Sequence, residues 1–328
     1  GDDHGTAVFG EMVSIDDGIG TTGIAHGASA VKFAGTWDGT TWDVGNAIYR
    51  AISAMPVGSI IIIEQQMVGP NGGSYYVPIE WWEPWYNAVK VAVASGMIVC
   101  EAAGNGYQDL DAPEYSKGNG GHYPFLPEND SGAIIVGAGG SYNSCYGSTW
   151  LARLSYSNYG SRLDVQGWGE CVMTTGYGDA WNEADCDYTA TFSGTSSATP
   201  IVSGACMLIQ SYAIDQLGGP LSPSELRSLL VDTGLPQTNP SSGLIGPFPD
   251  AFAAINSYLP LGACCVGTSG ACIEIIESNC NVGGGSWMGP DTICADGHCE
   301  PISCEGDVDE SGIVDVSDLL AVIDQWGL

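Results

Sequence analysis

The apolar residues fall into short blocks of two kinds, set apart by glycine, proline and acidic turns. Ser59-Ile60-Ile61-Ile62-Ile63 is an unbroken β-branched run, which suits a strand buried on both faces of a parallel sheet. Met97 to Cys100 and Ala133 to Val136 repeat that character. Between these runs the spacing turns helical. Ala47, Ile48, Ala51 and Ile52 predict a helix over Asn46 to Ala54, ending before Pro56. Val89, Ala92 and Val93 predict another from Pro84 to Ser95, stopped by Gly96. Gly5 to Ile15 reads as a helix of small and apolar residues, and Asp16 to Gly20 as a turn. Ser222-Pro223-Ser224-Glu225 is a capping box that opens a helix through Val231, and Pro249 to Tyr258 predicts one more. This alternation implies an α/β domain with a doubly wound, mostly parallel sheet and helices on both faces. Its site is expected at the carboxyl ends of the strands.

From Gly262 the pattern changes. Cys264, Cys265, Cys272, Cys280, Cys294, Cys299 and Cys304 stand among Gly, Ser and Asn with few core-sized residues, which predicts a small disulfide-stapled module. Seven is odd, so one cysteine pairs elsewhere or stays free, and the connectivity is open. The last stretch, Asp307 to Asp318, places oxygen side chains at loop positions 1, 3, 5, 9 and 12 (Asp307, Asp309, Ser311, Asp315, Asp318) with Gly312 at position 6. A hard cation wrapped by a short loop needs that set, with the Ile313 carbonyl completing it, so calcium is the expected structural cofactor. Leu319, Leu320, Val322 and Ile323 then give a helix. Asp318 at position 12 resembles a dockerin-type calcium repeat. Dockerins carry two such repeats and this chain one, so a cell-surface or cohesin-like partner rests on half the usual pattern. The expected division is 1-260, 261-304 and 305-328.

Charge narrows the partners. Seven Lys+Arg against 38 Asp+Glu give a formal net charge of −31 over 328 residues, a field that repels nucleic acid and anionic membrane. Twelve cysteines point to an oxidising compartment, hence a secreted, extracellular or cell-surface protein. No paired CxxC units stand at zinc-finger spacing. No run approaches the roughly 18 apolar residues of a membrane span. With neither an initiating Met nor a signal peptide, the chain reads as starting inside a longer protein.

The chemistry gathers in three places. Thr191-Phe192-Ser193-Gly194-Thr195-Ser196-Ser197-Ala198-Thr199-Pro200 crowds small residues into a turn and runs into an apolar helix, with Ser196 at the helix mouth and Pro200 expected in the first turn. There the macrodipole favours negative charge developing on or near a hydroxyl. The chain opens Gly1-Asp2-Asp3-His4-Gly5-Thr6, and Met97 to Gly106 reads as a strand running into Ala102-Ala103-Gly104-Asn105. His, Asn and Ser in this order and these settings resemble the subtilisin-like serine proteases over roughly Gly1 to Pro260. Gly23-Ile24-Ala25-His26-Gly27-Ala28 is similar to another stretch of that family, with His26 at its proline position and read as a loop histidine. Leu154 to Thr175 resembles the strand pair that precedes the nucleophile.

The resemblance implies a serine endopeptidase acting on protein or peptide substrates through an acyl-enzyme on Ser196. His4 would be the general base and Asn105 the oxyanion donor. The family's third member is an Asp about thirty residues before the His, and only three residues precede His4 here. That Asp is expected upstream of Gly1, and residues 1–328 alone are expected to be inactive or misfolded. The alternatives are a catalytically dead scaffold or a calcium-dependent attachment protein. Glu64 stands where the family lines its substrate cleft, so it is expected either to favour basic or polar substrate residues, or to turn outward or pair with a nearby group. Gly176 to Asp187 reads as an acidic insertion that a Cys171–Cys186 disulfide would close, leaving Cys145 over. Cys100 and Cys206 are expected as buried thiols.

Overall fold

A computed structural model describes residues 2–37, 39–183, 186–258, 261–267 and 270–299. The expected cation loop (Asp307, Asp309, Ser311, Ile313, Asp315, Asp318) and Cys304 lie outside them. The chain divides into two compact units, Gly1–Ile255 and Asn256–Leu328. In the first, α1 (Asp2–Val13) and α2 (Val44–Ala54) precede β1 (Ile60–Ile63), β2 (Gln66–Val68) and β3 (Tyr76–Pro78). Then come α3 (Glu83–Ala94), β4 (Ile98–Ala102), the single turn α4 (Pro113–Ser116), β5 (Ile134–Gly139) and β6 (Val165–Trp168). A hairpin of β7 (Val172–Thr175) and β8 (Tyr188–Phe192) leads into α5 (Thr195–Tyr212), α6 (Pro223–Thr233) and α7 (Ala251–Asn256).

The central sheet runs β1-β4-β5-β6, every pair parallel. Its register sets Ile62 against Cys100, Cys100 against Ile134 and Val136 against Val165. Strand alternation sorts the side chains into two layers. Ile98, Cys100, Ile134, Val136 and Val165 pack with Val202, Cys206 and Ile209 of α5 and Leu226 and Leu230 of α6. Ile61, Ile63 and Val99 pack with Val44 and Ile48 of α2 and Val89 and Ala92 of α3. The expected two-faced α/β sheet is therefore present. β7 and β8 lie outside it as a separate antiparallel pair. Cys100 and Cys206 are buried thiols with their sulfurs 3.9 Å apart.

The expected Cys171–Cys186 bridge is not formed. Cys171 pairs with Cys145, and Cys186 is an exposed free thiol. The hairpin register explains this. Thr175 lies opposite Tyr188, so Cys171 sits at the open end of the ladder and Cys186 at the closed end. Four residues of strand between Cys171 and Thr175 span about 13 Å, well beyond the roughly 7 Å that a disulfide tolerates between Cα atoms.

In the second unit, β9 (Gly262–Val266) pairs antiparallel with β10 (Ala271–Ile275) and β11 (Ser286–Trp287), and α8 (Glu277–Val282) joins the last two. Three disulfides staple it: Cys264–Cys280, Cys265–Cys299 and Cys272–Cys294.

Beneath α6 lies a buried ion network. Arg162, 3% exposed, reaches Asp164 at 2.9 Å, Asp130 at 3.1 Å and Glu80 at 3.7 Å, and Arg227 joins Asp130 at 2.6 Å. A cavity of about 530 Å³ lined by Asp164, Arg227 and Asp232 opens beside it, and none of His4, Asn105 or Ser196 borders that cavity. Arg162→Met leaves buried Glu80 without its cation and leaves Asp130 and Asp164 to Arg227 alone. It is expected to destabilise the fold by about 3–5 kcal/mol, read as a lower urea midpoint, whereas a change within about 0.5 kcal/mol would contradict the network's role.

Candidate active site

The three candidate residues come from three separate elements. Ser196 is the second residue of α5 and is 9% exposed. Its placement depends on the preceding turn, where Gly194 holds φ 101° and ψ 176°, a backbone that excludes side chains. The Gly194 N–H donates to the Gly169 carbonyl at 2.8 Å and to the Tyr156 hydroxyl at 3.1 Å. Tyr156 in turn donates to the Gly169 carbonyl, so one buried phenol clamps both strands of the turn. The helix starts one residue before Ser196, which moves Pro200 inside it rather than into its first turn. A proline there supplies no N–H to the residue four places earlier, so the Ser196 carbonyl loses its helical donor.

Asn105 follows β4 at the carboxyl edge of the sheet. Its Oδ1 accepts from the Thr195 backbone N–H at 2.9 Å and the Thr195 hydroxyl at 3.0 Å, and its own N–H donates to Gln66 Oε1 at 2.8 Å. With Oδ1 engaged, Nδ2 is left to donate beside the Gly194–Ser196 turn, 3.2 Å from where a Gly194 Cβ would stand. The Ser196 backbone N–H lies in the first turn of α5, where no i−4 carbonyl serves it. Thus two donors of the kind an oxyanion needs flank the helix mouth. Thr195, Gln66 and Tyr156 were not singled out by the sequence reading, although Thr195 and Tyr156 lie within the stretches that carry the resemblance and Gln66 stands two residues past Glu64.

His4 sits in the first turn of α1, half-buried, its ring edge-on to Phe192 at 5.6 Å. α1 packs on α5 and on β7. The approach to β7 is close because Gly10 has no Cβ: one would lie 2.3 Å from both the Thr174 and Thr175 hydroxyl oxygens. Those hydroxyls donate to the Ala7 carbonyl at 2.7 Å and the Thr6 carbonyl at 2.8 Å. Burial holds the His4 imidazole below its ordinary pKa, so it stays neutral further into the acid range. Asp3 turns to the Tyr177 N–H at 3.4 Å, and among the described residues no carboxylate bonds the His4 ring. His26 is an exposed turn residue whose Nδ1 lies 3.3 Å from the Gly23 carbonyl.

Glu64 does not turn outward, for both of its carboxyl oxygens are buried. Of the expectations held for it, a place beside a nearby group fits, with the Ser196 hydroxyl facing its carboxyl. The reason is parity. Ile60 and Ile62 point to the side of the sheet covered by α5 and α1, and Glu64 continues that alternation. Its carboxyl therefore faces the Ser196 hydroxyl. Burial pushes the Glu64 and Glu11 carboxyls well above the usual range, and for Glu11 the neighbouring Glu64 adds to this. Among the described residues, no group of three or more His, Cys, Asp or Glu could hold a metal ion. No helix among them is long and apolar enough to cross a membrane.

Comparisons with known proteins agree with this fold. The family model described as "Subtilase family" matches residues 1–246. An extracellular protease of Xanthomonas campestris pv. campestris is 30% identical over 250 residues, which is 74% of this chain and 38% of that protein. Subtilisin NAT of Bacillus subtilis subsp. natto is 32% identical over 214 residues, 64% of this chain and 46% of its own. The chain therefore spans less than half of either relative. Among solved structures, a protease from Pseudoalteromonas arctica superposes with TM-score 0.55 at 24% identity, covering 77% of this chain and 70% of that one. The self-cleaved protease domain of PatA gives 0.54 at 24%, covering 77% and 82%. At that identity the two structures speak for the fold.

The buried carboxyls set a pH dependence of stability. A carboxyl whose folded pKa is raised keeps a proton that the unfolded chain has released, so it costs stability as pH rises from the ordinary carboxylate range through the raised one. Glu11→Gln removes one such group. Relative to the parent, the variant is expected to gain stability steadily from pH 5 to pH 8 in urea titrations; parallel pH profiles would refute the assignment.

Proposed function

The chain belongs to the subtilase family, and from that premise we propose that it is the nucleophile-bearing part of a secreted serine endopeptidase. The observation that carries this is the Asn105–Thr195 bond at the buried mouth of α5. It engages the amide oxygen and so supports a donor role for the Asn105 N–H₂ beside the start of α5, next to the serine in that family's nucleophile position. In the reaction, neutral His4 takes the Ser196 hydroxyl proton as Oγ attacks the carbonyl carbon of a peptide bond. The oxyanion that forms is held by Asn105 Nδ2 and the Ser196 N–H, with the positive end of α5 adding to both. His4 then returns the proton to the leaving amine, and water releases the acyl group from Ser196. The carboxylate that orients the imidazole would come from a strand outside residues 1–328. One edge of β1 is unpaired among the described residues, which is consistent with an added strand.

A second reading, a binding scaffold on an inactive fold, is favoured by one observation: no described carboxylate meets His4. Labelling by a fluorophosphonate separates the two. The protein expressed from its full reading frame is expected to label at Ser196. Ser196→Ala should abolish labelling, His4→Ala should slow it by about 10²–10⁴-fold, and Asn105→Ala should slow peptide hydrolysis by about 10²–10³-fold, the usual range for an oxyanion donor. An unlabelled parent would leave the scaffold reading.

The peptidase domain is proposed to span 1–260, followed by the cysteine-rich module 261–304 and the calcium repeat 305–328. The four disulfides among the described residues support an oxidising, extracellular setting. Calcium at Asp307, Asp309, Ser311, Ile313, Asp315 and Asp318 is supported by the loop pattern alone, and an attachment role, to a cell surface or a cohesin-like partner, rests on it. Calorimetric titration of the full chain with Ca²⁺ should show a binding event that Asp307→Ala with Asp318→Ala removes. An unchanged isotherm in that double variant would dismiss this loop as the site.

A further inference from the structure

The loop that presents Asn105 is pinned on both flanks by amide side chains. Asn158 is fully buried, and its Nδ2 donates to the Ala103 and Tyr76 carbonyls, both at 2.7 Å. Its Oδ1 accepts from the Gln108 N–H at 2.9 Å, and its own N–H donates to the Gly104 carbonyl at 3.1 Å. Gln108 Nε2 then donates to the Gly106 carbonyl at 2.6 Å. Gly106 lies so close to β3 that a Cβ would stand 1.9 Å from the Tyr76 carbonyl oxygen. Between these fixed points, the Asn105 N–H is met by a side chain from another element. Gln66 Oε1, at the start of β2 and 39 residues earlier in the chain, accepts from it at 2.8 Å. Asn105 is thereby held twice, its backbone by Gln66 and its carboxamide oxygen by the Thr195 N–H and hydroxyl. Two held points fix the direction of the remaining group, Nδ2.

We infer that Gln66 is a positioning residue for the proposed reaction, acting through Asn105 rather than on the reacting atoms. Without its bond, the carboxamide stays tied at Oδ1 while the peptide plane before Asn105 is free to turn, and Nδ2 swings about that tie. A hydrogen bond weakens steeply as it leaves the line between donor and acceptor, and an oxyanion donor helps only when it is aimed in advance. The residue type follows from the same demand. Reaching Asn105 from β2 takes a long side chain, and the acceptor has to be neutral. A carboxylate behind the donor would oppose the negative charge that the donor is there to hold. The consequence for rate rests on the nucleophile reading above; the hydrogen bond does not.

The test is a double-mutant cycle on the protein expressed from its full reading frame: parent, Gln66→Met, Asn105→Ala and the two together. Gln66→Met keeps the bulk and removes the acceptor. It should lower kcat for peptide hydrolysis by about tenfold, less than outright loss of the donor, and leave KM unchanged, because the aimed donor acts in the transition state. In the Asn105→Ala background there is no donor left to aim, and the same change should cost less than about twofold. Equal losses in the two backgrounds, or a parent-like kcat in Gln66→Met, would overturn the positioning role. Gln66→Asn, the same amide one methylene short, serves where methionine upsets folding; it should lose kcat equally, and a parent-like rate would count against the role. Hydrogen exchange followed by NMR should find the Asn105 N–H slow in the parent and faster by about tenfold or more in either Gln66 variant, and equal exchange would overturn the bond itself. A parent that hydrolyses no peptide would overturn the effect on rate together with the proposed activity, and exchange would still decide the bond.

Discussion

The site depends on how a helix can begin inside a protein. The first residues of α5, Thr195 to Ala198, are buried, and a buried helix start carries N–H groups that its own turns cannot serve. Leaving them unpaired would cost about 1–3 kcal/mol each. The fold meets the demand with side chains and carbonyls from elsewhere: Asn105 takes the Thr195 N–H, and Gly169 and Tyr156 take that of Gly194. The groups that make the helix start tolerable are the ones that surround Ser196. Stability and candidate chemistry therefore share the same bonds, and the core layer of Val202, Cys206 and Ile209 anchors them to the sheet.

The interior handles its acids in two different ways. With only seven basic residues in the chain, cations are scarce, and Arg162 and Arg227 are both spent on Asp130 and Asp164, with Glu80 alongside. Glu101, buried next to that network, bonds the Glu80 N–H at 3.3 Å and is pushed well up in pKa by burial and then by Glu80. Among the described residues Glu11 and Glu64 meet no cation, and burial favours the protonated form of both. A carboxyl kept neutral by its surroundings is a different functional group from a carboxylate, since it can donate.

Most of the elements were legible because their signals are local. The run Ile60 to Ile63, the helical spacing in α2 and α3 and the Ser222–Glu225 capping box each appear where the sequence put them, with ends shifted by a residue or two. The departures have a common cause. Pro200 entered the helix interior because tertiary bonds to Thr195 and Gly194 let α5 start early. The cysteine pairing failed because sequence separation says nothing about which end of a hairpin a residue occupies. Glu64 was placed at the substrate cleft by its position in the family pattern, and the parity of β1 carried its carboxyl inward.

By itself, the sequence determined the fold class, the order of its elements and three small-residue motifs bearing His4, Asn105 and Ser196. These follow from periodicity, capping and side-chain size, which act over a few residues. Only the tertiary structure decided what stands around those motifs: Thr195 and Gln66 orienting Asn105, the Gly10 contact that seats α1 on β7, and the burial of the Glu11 and Glu64 carboxyls. Each of these joins residues dozens to more than a hundred positions apart. Their geometry is set by sheet register and helix packing, which no local stretch of the chain encodes.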